Sequence, residues 1–182
     1  KQFLIQSYSP VSILFRKILL PLILIYIFVL PLVLRFLPLQ KIYFGYKFSL
    51  SEIVYIWVSG AVTMLLVVNV LIKNMWGRAR PNDVSYFNGF QDFTPWYKIS
   101  NACASNCSFV SGDSSVGFLL VVFYFITKKN VYLYLGLVLG SLLGFIRIAA
   151  GGHFFSDIIF SQIIVTVTIL TSFVLYKKLY DK

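Results

Sequence analysis

The sequence VYLYLGLVLGSLLGFIRIAAGGHFFSDIIFSQIIVTVTILTSFVLY, residues 131–176, contains two apolar runs that are separated by Gly151 and Gly152. Each run is close to the length of about 20 residues that a helix needs to cross a lipid bilayer. Three more apolar stretches precede this segment, so the sequence predicts five spans, at residues 18–38, 50–72, 109–127, 131–150 and 154–176. We therefore expect an all-α fold, a polytopic transmembrane helical bundle that forms one domain over residues 1–182.

The composition also favours a membrane protein. Apolar residues make up 59% of the chain and charged residues 12%, about half the charged share of an average soluble domain. This composition excludes a disordered chain, a collagen and a small disulfide-framework fold. The net charge of +10 suits anionic lipid headgroups or phosphorylated ligands, with no sign of a nucleic-acid partner. The first residue is Lys1 rather than methionine, so we expect a sixth span if an N-terminal segment is missing.

The second span has a well-marked start. Ser49 and Glu52 have the spacing of a capping box, in which each side chain bonds to the other residue's backbone amide. If this helix continues past residue 72, Lys73, Gly77 and Arg80 share one stripe until the proline that follows. Two cations on one stripe suit an oxyanion.

The polar stretch 73–108 is too long for a simple turn, and long structured loops are often functional. We expect it to be an extracytoplasmic loop beside the functional site. Its aromatic residues either form a belt at the depth of the lipid headgroups or contact a lipid substrate directly. These residues are Tyr86, Phe87, Phe90, Phe93, Trp96 and Tyr97.

The orientation of the bundle follows from its cations. If each span crosses once, the face with loop 73–108 carries Lys1, Arg16, Lys17, Lys73, Arg78, Arg80, Lys98 and Arg147. The opposite face carries Arg35, Lys41, Lys47, Lys128, Lys129, Lys177, Lys178 and Lys182. The two counts are equal, but three cations of the first face are assigned below to a site. The positive-inside rule then places the opposite face in the cytoplasm.

Six ionisable residues at the ends of apolar spans are predicted to converge on the first face. They are Lys73, Arg80, Asp113, Arg147, His153 and Asp157. A single cation at a span end usually extends to the headgroups, and a lone histidine with an acid nearby is often structural. Convergence of all six residues on one face favours a functional site over these structural roles, because ionisable groups at membrane depth are energetically costly.

Two local patterns give this cluster a chemistry. His153 and Asp157 have i, i+4 spacing on the opening turns of the last span, so the carboxylate can hold one ring nitrogen and leave the other free. This is the orienting half of a nucleophile arrangement. Ser111 and Gly112 begin the third span, and the free amides and positive dipole of a helix N-terminus favour phosphate binding.

Three groups of residues resemble the three signatures of the type 2 phosphatidic acid phosphatase family. The groups are Lys73 with Arg80-Pro81 after six residues, Ser111-Gly112, and Arg147 with His153 and Asp157 after five and three residues. The resemblance covers roughly residues 73–157. Val110 replaces the proline of the second signature, Ile146 replaces the serine before the third, and Asp113 stands where the family has its second histidine.

The resemblance implies a membrane phosphatase that needs no metal or other cofactor. His153 would be the nucleophile that forms a phosphohistidine, and Asp157 would orient it. Lys73, Arg80 and Arg147 would bind phosphate oxygens, while Ser111 and Gly112 would add hydroxyl and amide contacts. Asp113 would replace the histidine that protonates the leaving group. Three explanations of Asp113 stay open: a native carboxyl acid, a leaving group that needs little help, or an introduced substitution that slows the enzyme.

The implied substrate is a lipid phosphomonoester or diphosphate at the periplasmic face of a bacterial inner membrane. The acid at position 113 and the aromatic loop favour lipid A at its 1-phosphate, since an anomeric oxygen is a good leaving group. Undecaprenyl diphosphate and phosphatidylglycerophosphate are alternatives. A lipid phosphotransferase and a catalytically silent phospholipid-binding protein are the rival functions. Nothing in the sequence points to an obligate protein partner.

The chain has two cysteines, Cys103 and Cys107, in the polar loop. In an oxidising periplasm they can form a local disulfide, since helical spacing brings the two Cα atoms within reach. Two free cysteines are the alternative. No histidine or second acid accompanies them, so they do not suggest a metal site.

Overall fold

The computed structural model describes residues 3–4, 9–37 and 39–180. Lys1 and Lys182, which entered the charge count, lie outside these residues. The described chain is mostly helical and contains no strand beyond an isolated bridge between Val84 and Gln91. Its helices are α1 (Pro10–Phe36), α2 (Gln40–Phe44), α3 (residues 50–76), α4 (Gly112–Thr127), α5 (Asn130–Ala149) and α6 (Phe155–Tyr180). Two short 3-10 helices, Pro81–Asp83 and Ser85–Phe87, lie in the loop between α3 and α4.

The prediction of a polytopic helical membrane bundle is confirmed. Helices α1, α3, α5 and α6 are long and apolar enough to cross a membrane. Helix α4, the predicted third span, is apolar but has fewer than 18 residues. Its residues 114–123 are all buried, because the longer helices pack around it. Helix α4 is therefore the centre of the bundle rather than a lipid-facing span.

Helix α3 begins as predicted but ends earlier than the stripe of cations requires. The Ser49 hydroxyl accepts from the Glu52 amide at 3.2 Å, and the Glu52 carboxylate accepts from the Ser49 amide at 2.7 Å. The helix stops at Trp76, since Gly77 is left-handed with φ +59°, a common way to end a helix. The carbonyl of Ser100 leaves no room for a side chain at Gly77. The prediction that Lys73, Gly77 and Arg80 share one helical stripe is therefore wrong.

Glycines allow α4 and α5 to approach closely. Gly136, Gly140 and Gly144 recur every four residues along the face of α5 that meets α4. A Cβ atom on Gly117 of α4 would lie 2.5 Å from the Cα atom of Gly140. Small residues at such crossings let membrane helices pack backbone to backbone. This contact holds the buried helix in place.

We predict that Gly117→Ala destabilises the protein by about 1–3 kcal/mol, because the added methyl group overpacks the α4–α5 crossing. The measurement is thermal unfolding in detergent, and the expected result is a lower midpoint. Val138→Ala, at a position on α5 that is 62% exposed, is the control and should change the midpoint little. Equal midpoints for Gly117→Ala and the unmodified protein would show that the crossing tolerates a side chain.

Candidate active site

The residues predicted to form the site converge at one end of the bundle. Lys73 comes from the C-terminal end of α3 and Arg147 from that of α5, while Arg80 lies in the loop that follows α3. Ser111 and Gly112 begin α4, and Asp157 lies in the first turn of α6. His153 precedes α6 rather than lying within it, because that helix begins at Phe155.

The ring of His153 is held by a backbone carbonyl. Its Nδ1 lies 2.7 Å from the carbonyl oxygen of Ser108, and the side chain is 3% exposed. Because a carbonyl oxygen only accepts, Nδ1 carries the proton and Nε2 keeps a free lone pair. The nearest oxygen of Asp157 is 3.6 Å from Nδ1, too far for a hydrogen bond. The Ser108 carbonyl makes the closer contact with the ring, and orientation of the ring by Asp157 stays a prediction.

Asp157 is buried and fully engaged by other groups. One carboxylate oxygen accepts from the guanidinium of Arg78. The other accepts from the hydroxyl of Ser108 and, at 2.9 Å, from the amide of Phe154. Ser108 therefore connects the two residues, with its carbonyl on the His153 ring and its hydroxyl on the Asp157 carboxylate.

Arg78 is a site residue that the sequence analysis did not select. It is 2% exposed and also donates to the Thr94 carbonyl and the Ser156 hydroxyl, each at 2.9 Å. Its guanidinium stacks over the ring of Phe154, 4.1 Å from the centroid. A second arginine two residues before Arg80 was the available signal, but nothing local in the sequence indicates that its partner is Asp157.

Lys73 and Arg80 meet through Asn106. The ammonium of Lys73 donates to the Asn106 side-chain oxygen at 3.3 Å, and Arg80 donates to the Asn106 backbone carbonyl at 2.7 and 3.2 Å. A Cβ atom on Gly112 would lie 3.3 Å from the Lys73 ammonium, so this cation sits beside the first residue of α4. Lys73, Arg80 and the start of α4 therefore lie close together, even though Arg80 follows the end of α3 and does not share a helical face with Lys73.

The loop that carries Asn106 is closed by a disulfide between Cys103 and Cys107. The disulfide alternative of the sequence analysis is therefore confirmed. Asn106 adopts a left-handed conformation with φ +50° inside this small ring. The disulfide consequently sits directly beside the residue that contacts both cations.

Asp113 forms ion pairs with two arginines. One of its oxygens lies 3.3 Å from Nε of Arg147 and 3.2 Å from Nε of Arg16, which belongs to α1. Neither this oxygen nor Nε of Arg147 has an aligned hydrogen-bond partner within the described residues, although both atoms are buried. The guanidinium of Arg147 also packs against Gly152, where a Cβ atom would lie 2.4 Å from one of its nitrogens. The sequence analysis did not connect Arg16 with the site.

Ser111 caps α4 as expected of a helix start. Its side-chain oxygen accepts from the amide of Ser114 at 3.4 Å, and its carbonyl accepts from the hydroxyl of Ser161 at 3.0 Å. The bond from Ser161 ties the start of α4 to α6. Because Gly112 lies beside the Lys73 ammonium, the positive end of the helix dipole and this cation both favour an anion nearby.

Burial lowers the pKa of His153, and the charges of Arg147 and Arg80 act in the same direction, against the carboxylate of Asp157. The neutral ring is therefore favoured. In the described part of the chain, no three His, Cys, Asp or Glu side chains lie close enough together to hold a metal ion.

The arrangement defines a class of protein: a multi-pass helical membrane protein with a buried histidine and several cations gathered at one end of the bundle. The comparison with known families agrees with it. Residues 53–181 match the PAP2 superfamily, and the chain belongs to that family. This is the family whose three signatures the sequence resembles.

Three bacterial relatives share the printed name lipid A 4'-phosphatase. The protein of Francisella tularensis subsp. novicida is 44% identical over 121 residues, which are 64% of this chain and 53% of the relative. The proteins of Rhizobium etli and Rhizobium leguminosarum are 36% and 35% identical, over 52% of this chain and 38% and 42% of their own lengths. The chain thus matches about half or less of each relative. No solved structure matches it.

We predict that Arg78→Ala costs about 3–5 kcal/mol of stability, because it leaves the Asp157 carboxylate buried without its counter-charge. Thermal unfolding in detergent measures this loss. Arg35→Ala is the matched control, since that exposed guanidinium bonds to the carbonyl of Phe48 and has no buried acid to neutralise. A similar loss for both variants would argue against the Arg78–Asp157 pair as a main stabilising contact.

Proposed function

We propose that this protein is an integral membrane phosphatase that hydrolyses a lipid phosphate through a phosphohistidine on His153. The observation that carries the proposal is the state of the ring, because its Nδ1 proton points to the Ser108 carbonyl and leaves Nε2 unprotonated. Family membership and the names of the relatives support the same chemistry.

The reaction has two displacements at phosphorus. First, the lone pair of Nε2 forms a bond to phosphorus while the bond between phosphorus and the lipid oxygen breaks. That oxygen leaves with the electron pair and takes up a proton, for which Asp113 is the predicted donor. Water then attacks the phosphohistidine and gives up a proton, the bond from phosphorus to nitrogen breaks, and inorganic phosphate leaves. Asp157 supports the positive charge that the ring gains during the first step, and Ser108 keeps the ring in place.

We assign phosphate binding to Lys73, Arg80 and Arg147, assisted by the first amides of α4. The guanidinium of Arg147 is buried, and its Nε lies 3.3 Å from the Asp113 carboxylate without an aligned hydrogen bond, so this side chain can also bind a phosphate oxygen. Asn106 places two oxygen atoms on Lys73 and Arg80, which shows that one small group can reach both cations. A phosphate would take the place of these oxygens.

We propose that Asp113 positions Arg147 through their ion pair. That Asp113 also donates the proton to the leaving group stays a prediction. The substrate we propose is lipid A. The names of the relatives favour the 4'-phosphate and do not support the 1-phosphate expected from the sequence. A 4'-oxygen is an ordinary alkoxide leaving group, so this choice increases the need for a proton donor at the site.

We place the active site on the periplasmic face of the bacterial inner membrane. With the three phosphate-binding cations set aside, five cations remain on the face of the site against eight on the other face, which favours this orientation by the positive-inside rule. The Cys103–Cys107 disulfide adds support, because disulfides persist in the periplasm and are rare in the cytosol.

The test is phosphate release from lipid A, phosphatidic acid, undecaprenyl diphosphate and phosphatidylglycerophosphate by the purified protein. Mass spectrometry of the remaining lipid A distinguishes loss at the 4'-position from loss at the 1-position. We expect release from lipid A at the 4'-position, and a loss of roughly a thousandfold or more in His153→Ala, since that variant lacks the nucleophile. Lys73→Ala should lose roughly a hundredfold or more.

Lys98→Ala is the control for Lys73→Ala, because Lys98 is an exposed cation of the loop that follows α3. Hydrolysis in water labelled with oxygen-18 places the label in inorganic phosphate, whereas transfer to a second lipid does not. Release that persists in His153→Ala would refute the phosphohistidine, and no release from any of the four lipids would refute the phosphatase.

We also predict the pH dependence. A lowered pKa of His153 keeps the ring neutral at pH values where an ordinary histidine, with a pKa of about 6.5, is protonated. The acid limb of kcat/KM should therefore lie below that value. The same shift makes the free energy of unfolding depend on pH. The contribution of His153 to stability is fully present above the pKa of the unfolded chain and is lost as the pH falls below it, because the unfolded chain binds the proton first. Profiles for two substrates whose phosphates titrate differently provide the control, because a limb that moves with the substrate does not belong to His153.

A further inference from the structure

A groove of about 450 Å³ runs along the outside of the bundle between α5 and α6. Phe118 and Ile158 form its buried floor, while Phe145 and Phe155 are exposed along its sides. Both flanking helices are long and apolar enough to cross a membrane, so the groove faces the hydrocarbon of the bilayer. It is the right place for an apolar chain that lies in the membrane.

One end of this groove lies at the same end of the bundle as the site. Its lining residues Ile148, Phe155 and Ile158 lie within two positions of Arg147, His153 and Asp157 respectively, although none of the site residues lines the groove itself. A lipid whose phosphate sits on His153 therefore has the start of the groove at the same level of the bundle.

Two polar side chains line the groove further along. Gln162 follows Asp157 by five residues and Ser141 precedes Arg147 by six, which is roughly 7–9 Å along the helices at 1.5 Å per residue. Gln162 is half-buried and Ser141 is exposed. Neither side chain makes a hydrogen bond with another described residue. Polar groups that face hydrocarbon without a partner are costly, so they point to a ligand.

A second groove provides a comparison. It has a volume of about 280 Å³, lies between α1, α4 and α5, and is lined by Leu22, Ile23, Tyr26, Leu120, Leu135 and Leu139. None of these residues adjoins the phosphate-binding residues in sequence, and no amide side chain is among them. Of these two grooves, the α5–α6 groove is the one that combines apolar walls with an amide side chain and starts at the same end of the bundle as the site.

We propose that the α5–α6 groove binds an acyl chain of the lipid phosphate, with Gln162 and Ser141 bonding to the ester, amide or hydroxyl oxygen near its headgroup. The spacing fits such a lipid, because its first acyl oxygens lie a few bonds from the phosphate. The proposal rests on the proposed function, and it names the substrate class more closely: an acylated lipid with an oxygen at the start of the chain.

The first experiment fills the grooves. Ile159→Trp blocks the α5–α6 groove, and Leu135→Trp blocks the other groove at a position of nearly equal exposure, 41% against 40%. We expect kcat/KM on lipid A to fall on the order of tenfold for Ile159→Trp, since excluding two methylene groups already has this effect. Leu135→Trp should change it less than about twofold, and lipid A de-O-acylated by mild alkali should show a smaller difference between the variants.

The second experiment tests the polar pair. Gln162→Leu, added to His153→Ala, should weaken binding of dioleoyl phosphatidic acid roughly three- to tenfold, the effect of losing one hydrogen bond. It should leave binding of the dialkyl ether analogue unchanged, because that analogue lacks the carbonyl oxygens. Thr168→Val is the control on the same helix, because that hydroxyl bonds to the carbonyl of Ile164. Ser141→Ala should act in the same direction as Gln162→Leu.

A hydrolysis-independent measurement completes the test. Phosphatidic acid with a photoreactive acyl chain is crosslinked to His153→Ala protein, and the labelled peptides are identified. We expect labelling in the α5–α6 groove that falls when Lys73→Ala is added, since the headgroup then loses its anchor. Equal losses for both tryptophan variants, or equal labelling of both grooves, would overturn the proposal while lipid A hydrolysis still stands. Failure of the proposed function appears differently, as no phosphate release by the unmodified protein.

Discussion

The buried carboxylate of Asp157 is the constraint on which the site depends. A charge at this depth is stable only when it is paired and fully hydrogen-bonded, and Arg78, Ser108 and the Phe154 amide meet that requirement. These partners come from the loop after α3, from the segment before α4 and from the start of α6. Satisfying one carboxylate therefore fixes three segments relative to one another, and the same Ser108 then sets the ring of His153.

The positive charge of the site has a complementary origin. Lys73, Arg80, Arg147 and Arg16 lie near one another, and Asp113 neutralises only part of their charge. These partly buried cations repel one another, and a bound anion would relieve the repulsion. The arrangement therefore favours anion binding. Asn106 shows that these cations bind oxygen atoms, because its side-chain and backbone oxygens accept hydrogen bonds from Lys73 and Arg80.

The sequence predicted the spans and the convergence of most residues of the candidate site, since these depend on local patterns and short motifs. Apolar length gave the helices, and the Ser49–Glu52 spacing gave the start of α3. Other features depend on contacts between distant residues and leave no local pattern. Arg78 meets Asp157 across 79 positions, and His153 meets Ser108 across 45. The end of α3 escaped prediction for a related reason, because the Ser100 backbone that packs on Gly77 comes from far along the loop.

The short central helix begins where the ends of three longer helices meet. Gly112, its first residue, lies beside the Lys73 ammonium at the end of α3, and the Ser111 carbonyl accepts from the Ser161 hydroxyl near the start of α6. A lipid phosphate bound at these helix ends places the start of its acyl chains against the same helices, where their oxygen atoms need new hydrogen-bond partners. Side chains such as Gln162 can supply such partners from a lipid-facing groove that starts at this end of the bundle.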